Sequence, residues 1–111
     1  MGERRALLRI YTDEAAFFGD QRLYRVIVER ARSSGLAGAT VLQALYGFRG
    51  RHQMHARHLL EDDQSVVIEI VDEEPRLRAF VADLADLRKI GLATLEQVEV
   101  LHEPERLDTG A

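Results

Sequence analysis

The 111-residue sequence contains no cysteine and no tryptophan, and only two prolines. Without cysteine there is no disulfide framework and no thiolate, whether as a nucleophile or as a metal ligand. No apolar run approaches the roughly 20 residues needed to span a bilayer, so no direct membrane insertion is expected. The opening Met1-Gly2-Glu3-Arg4-Arg5 carries charge, but Arg9 and Asp13 interrupt any signal-type apolar core after it. These absences make the cytoplasm the expected compartment. A basic surplus is also missing: 15 Lys and Arg stand against 19 Asp and Glu, a formal net charge of -4. That balance argues against a nucleic-acid partner. Catalytic constellations are absent too. Ser33-Ser34 and Ser65 lie in no nucleophile elbow, and Asp62-Asp63 and Glu73-Glu74 read as loop and helix-start charges. No Walker or dinucleotide fingerprint occurs. No catalytic residue is assigned, and an enzyme is not expected.

What is present is the composition of one globular domain, 46% apolar and 31% charged. A single domain over residues 1–111 is expected, with an ordered core at about 5–102 and a mobile polar tail at 103–111. Ala6–Tyr11 alternates as a first strand. Thr12–Gly19 reads as a connection, and Asp20 as the N-cap of a first helix with Leu23, Tyr24, Ile27, Val28 and Ala31 at helical spacing. Gly35 suits the left-handed residue just past its end. Thr40–Phe48 reads as a second strand and Ser65–Val71 as a third. Asp72-Glu73-Glu74-Pro75 starts a second helix, since proline suits its first turn and carboxylates complement its dipole. Leu77, Phe80, Val81, Leu84 and Leu87 form its buried stripe, with Arg88 and Lys89 in the last turn and Gly91 as the stop. Thr94–Leu101 alternates as the last strand.

The order βαββαβ predicts an α+β, ferredoxin-like fold, a four-stranded antiparallel sheet with two helices on one face. On this reading Leu8, Ile10, Val66, Ile68, Val98 and Val100 face the helices. The open face then carries Leu7, Arg9, Tyr11, Val67, Glu69, Val71, Gln97 and Glu99, with Arg9 able to pair with Glu69. A sheet face that apolar predicts association, so a homo-oligomer packed sheet to sheet is expected.

Between the second and third strands the sequence leaves a long polar stretch, far longer than an ordinary hairpin loop. Gly47-Phe48-Arg49-Gly50-Arg51 opens it. Glycines let backbone amides approach an anion and arginines supply forked donors, so this segment is a candidate phosphate or nucleotide site. Arg88 and Lys89 could join it from the far side of a cleft. Arg51, His52, His55, Arg57 and His58 form a candidate partner-contact loop. His52, His55 and His58, spaced by three, offer an alternative reading as metal ligands. That spacing converges in neither a helix nor a strand, so plain polar loop histidines stand beside it.

GLAGATVLQALYGFRG, preceded by LYRVIVERARSSG and followed by a histidine-containing loop and VVIEIVD, resembles a bacterial family of domain of unknown function 190, in the PII-like signalling superfamily. The resemblance spans roughly Leu7 to Leu101. It implies a homotrimer with inward-facing sheets, and a flexible T-loop from Arg49 to about Glu61 that contacts a partner protein such as a membrane transporter or channel. It also implies an adenine nucleotide held at the base of that loop, between subunits. Gly47 and Phe48 match the start of the family's Gly-Phe-Gly segment; the third position here is Arg49, and the glycine follows at Gly50. The connection Arg88–Ala93 lacks the glycine- and lysine-rich phosphate loop of true PII proteins, which points to a smaller nucleotide of the adenosine monophosphate type. The alternatives are a divalent-metal-binding trimer and a ligand-free interaction module.

Overall fold

The computed structural model describes residues 2–47 and 65–104. The chain forms β1 (Glu3–Asp13), a small hairpin of β2 (Phe17–Phe18) and β3 (Gln21–Arg22), α1 (Leu23–Ser33), β4 (Thr40–Gln43), β5 (Ser65–Asp72), α2 (Glu74–Asp83) and β6 (Ala93–Val100). The long strands form one sheet in the order β4-β5-β1-β6, every neighbouring pair antiparallel. This is the expected α+β, ferredoxin-like βαββαβ architecture, with the β2–β3 hairpin added before α1.

Period-two alternation builds the core. Ala6, Leu8, Ile10 and Thr12 of β1 and Val66, Ile68 and Ile70 of β5 are buried in alternate positions. They meet Leu23, Ile27 and Ala31 of α1, Leu77 and Phe80 of α2, and Leu84 and Leu87 just beyond it. Each buried aliphatic side chain contributes about 1.5–3 kcal/mol relative to exposure. The end of α1 forms as the sequence predicts. Gly35 takes φ +79, its N–H donates to the Arg32 carbonyl, and the Leu36 N–H donates to the Ala31 carbonyl. This pairing satisfies carbonyls that the last turn leaves open.

Four expectations need correction. Asp20 does not cap α1: the helix starts at Leu23 after Arg22, because Phe17–Phe18 pairs with Gln21–Arg22 across a turn whose Gly19 has φ +66. A glycine at the first central position is what such a tight hairpin turn requires. The second strand is shorter than Thr40–Phe48 and stops at Gln43, with Leu45 and Tyr46 almost fully exposed. The second helix ends at Asp83, so Arg88 and Lys89 lie outside it and Gly91 is not its stop; Val81 is exposed. The reason lies in β1. Its Thr12 Oγ1 donates to the Lys89 carbonyl, Tyr11 N–H to the Leu92 carbonyl, and Gly91 N–H to the Tyr11 carbonyl. These bonds draw the chain back into the sheet. Finally, β6 has the opposite phase. Leu95 pairs with Leu8 and Val98 with Arg5, so Gln97 and Glu99 take the helix side while Val98 and Val100 join the open face. Gln97 is satisfied there by donating to Glu74 at the start of α2, 2.7 Å away.

Candidate functional site

One end of the sheet gathers the polar features. There β1 and β4 finish and β5 and β6 begin, since Asp13 pairs with Ser65, Gln43 with Val66 and Ile10 with Ala93. Beyond β4 the Ala44 N–H still donates to the Ser65 carbonyl at 2.8 Å, closing the base of the segment between β4 and β5. Gln43 Nε2 donates to Glu14 at 2.9 Å, and Arg22 donates to the Glu14 carbonyl at 3.1 Å. The β1–β2 connection is thereby braced against the end of β4. Gly47 follows, exposed, at φ +153. A side chain at this position would strain the backbone.

At the other edge of the same end, Lys89 is fixed through its carbonyl by buried Thr12. The Arg88 and Lys89 side chains are exposed and take no ion pair or hydrogen bond among the described residues. They are charges held on a defined backbone that no described residue neutralises. Gly47 lies past β4 and Lys89 before β6, at opposite edges of the sheet. The strand spacing separates those edges by about 14 Å. Of the sequence-predicted site residues, Gly47, Arg88 and Lys89 therefore lie toward one end of the sheet, Gly47 past β4 and Lys89 against β1 ahead of β6. Phe48, Arg49, Gly50, Arg51, His52, His55, Arg57 and His58 lie outside the described residues, as do residues 105–111 of the tail. Among the described residues no group of three His, Cys, Asp or Glu side chains is placed to hold a metal ion. Among them, too, no helix is long and apolar enough to cross a membrane.

The open face carries a charge cluster that sequence reading found only in part. Arg9 donates to Glu69 at 3.1 Å, as its cross-strand position predicts, and also to Glu96 at 2.8 Å. Hydrogen bonding to Glu69 and then to Glu96 raises the pKa of the guanidinium above its ordinary value. Glu96 was hidden by the phase of β6: only the inverted register turns it toward Arg9. Around this cluster lie Leu7, Tyr11, Val67, Val71, Val98 and, across from Val67, Leu42.

Residues 5–100 match the DUF190 family, whose description is Uncharacterized ACR. The chain is a DUF190 protein. A UPF0166 protein of Aquifex aeolicus (strain VF5) is 37% identical over 101 residues, spanning 89% of this chain and 95% of that one. Among solved structures, CPII from Thiomonas intermedia K12 bound to ADP and bicarbonate superposes with a TM-score of 0.67 at 19% identity, covering 90% of this chain and 91% of CPII. CPII bound to ADP, AMP and acetate gives 0.68 at 16% identity, with 92% and 93% covered. CPII is described as a nitrogen regulatory PII-like protein. At these identities the likeness is one of fold, and the DUF190 chain has the fold of PII-like signalling proteins.

Proposed function

We propose that this DUF190 protein is a PII-like regulator: a homotrimer that binds an adenine nucleotide between subunits and reports it to a partner protein. The observation that carries this reading is the placement of Gly47 and Arg88–Lys89 at one end of the sheet but on opposite edges. In this reading the ligand touches both by sitting between copies, with the β4 edge of one beside the β6 edge of another. Glycine at φ +153 leaves backbone open to an anion, and two cations with no partner among the described residues supply the countercharge. The adenine nucleotides held by CPII, a protein of the same fold, support the class of ligand.

In this reading Phe48, Arg49, Gly50 and Arg51 complete the ligand site, and Arg51, His52, His55, Arg57 and His58 contact the partner, a transporter or channel. The protein acts by binding and not by catalysis. A nucleotide shifts the loop only through its different affinity for the loop's alternative states. Calorimetric titration with AMP and ADP tests this. Saturable heat is expected for the native chain. Arg88→Ala/Lys89→Ala should bind at least about tenfold more weakly, since hydrogen bonds to charged groups contribute about 1.5–3 kcal/mol. Absence of heat with either nucleotide at millimolar concentration would sink the proposal.

A further inference from the structure

The open face of the sheet sets a charged patch among apolar neighbours. In one cross-strand row Thr40, Glu69, Arg9 and Thr94 follow one another from the β4 edge to the β6 edge, and Glu96 stands one row on, beside Leu7. Leu42 and Val67 lie to one side of the patch, Leu7 and Val71 to the other. Arg9 Nε donates to Glu69 Oε2 at 3.1 Å, and Arg9 Nη1 to Glu96 Oε1 at 2.8 Å. Two carboxylates thus share one guanidinium, and one negative charge is left over.

Among the described residues nothing else on this face neutralises that charge. Arg5, the other cation there, is held by Glu3 at 2.9 Å. Asp13, at the end of β1, adds a further carboxylate, turned back to accept from the Ala15 N–H, and Tyr11 brings a phenol and no cation. In the separate chain water serves the excess: the Glu96 side chain is 57% exposed against 29% for Glu69. The second oxygen of Glu96, Oε2, takes no hydrogen bond from a described residue. A second copy of this face would cover apolar surface with apolar surface, yet it brings the same surplus of negative charge. Closing the faces then takes water from a carboxylate that stands beside like charges, and both effects favour the protonated acid.

We propose that association of copies through this face takes up a proton on each Glu96. This rests on the reading that the chain assembles sheet to sheet, and it makes that assembly responsive to pH. Glu96 has more water to lose than Glu69, so the proton goes there. Protonated on Oε2, it keeps the Oε1 bond from Arg9, and the patch becomes neutral. The associated state binds more protons than the separate chains, so association strengthens as pH falls, by up to about tenfold for each chain and pH unit.

Light scattering over a dilution series at about pH 8, 7 and 6 tests this. The concentration of half-assembly should fall with pH, by at least about tenfold across that range. Glu96→Gln keeps the Oε1 acceptor without the charge; it should assemble at lower concentration than the native chain at the highest pH and show no slope. A native slope that persists in Glu96→Gln assigns the proton to another group, such as His102 beyond β6, and overturns the proposal. Weaker assembly of Glu96→Gln at every pH means that a cation of the neighbour needs the carboxylate, and overturns it too. An oligomer whose dilution curve ignores pH overturns the proton and leaves the association standing. A chain that stays monomeric throughout overturns both.

Discussion

Asp72 reads in the sequence as one of three acidic residues leading into a helix, yet its carboxylate is buried and ties three segments together. It accepts from the Glu73 N–H at 2.7 Å, the Ala37 N–H at 2.9 Å and Arg76 at 3.2 Å, while Arg76 also reaches the Gly35 carbonyl at 2.7 Å. The bend after α1 and the start of α2 thus share one anion. Asp72→Ala leaves backbone donors without their acceptor and should cost about 2–3 kcal/mol. A fall in the urea midpoint at unchanged m-value checks this; a midpoint within error of the native chain would mean that water replaces the carboxylate at no cost. Gly35 was legible from its place after a periodic apolar run, because the left-handed conformation belongs to glycine. The role of Asp72 was not legible, since its partner Ala37 comes close only once the sheet has formed.

At the scale of elements, α1 is tied to the turn after α2 by a forked pair, Arg30 to Asp86, at 2.8 and 2.9 Å. Phe18 of the hairpin lies under the same guanidinium, 5.5 Å from its ring centre. Hydrogen bonding from Arg30 holds the Asp86 carboxyl below its ordinary value, and Arg78 does the same for Glu74. The folded chain therefore binds fewer protons than the unfolded chain in the acid range, and stability rises with pH there. The contribution of Asp86 is complete above the unfolded carboxylate value of about 3.9 and is lost as pH falls through the lower folded value. Asp86→Asn should be less stable than the native chain near pH 7, and the difference should close as pH falls from about 4 toward 2. A constant difference across that range would assign the effect to packing rather than charge.

Element boundaries were the least legible part of the sequence. The apolar run to Leu87 suggested one long helix, but Leu84 and Leu87 are buried from turns because β1 recruits the backbone from Lys89 to Leu92. In β6 the pair Val98 and Val100 set the expected phase, while in the structure Leu95 takes the core side. An edge strand with few apolar residues takes its register from its partner, and a one-residue shift moves every side chain to the other face. The hairpin at Phe17–Arg22 did leave a signal, the Gly-Asp pair between apolar and polar strand residues, but it is only two residues deep on each side.

For the whole molecule, the inverted β6 strengthens the case for association that the sequence had suggested. Val98 and Val100 replace Gln97 and Glu99 on the open face, which also carries Leu42 and Val71, 46% and 40% exposed. The Arg9–Glu69–Glu96 cluster sits on the same face, one guanidinium bonded to two carboxylates, so no carboxylate there lacks a charged partner although the cluster keeps a net negative charge. Val71→Asp places an unpaired carboxylate in the apolar part of this face. Light scattering at micromolar concentration should report a trimer for the native chain and a monomer for Val71→Asp. A native monomer would remove the inter-subunit site altogether. The fold could be read from the βαββαβ order and the alternation of β1 and β5. The site was legible only as residue types, because the separation of Gly47 from Lys89 depends on strand order.

That difference in position makes the proposed shared site directly testable. Gly47→Val chains strain the β4 side of the cleft, and Arg88→Ala/Lys89→Ala chains lose the cations of the β6 side. Each should bind AMP or ADP poorly alone. Refolded together, they form some interfaces in which the intact β4 end of one chain meets the intact Arg88 and Lys89 of the other. Calorimetric titration of the mixture should therefore recover part of the native binding at native affinity. A mixture as silent as its two components would place both halves of the site within one chain and contradict a ligand held between subunits.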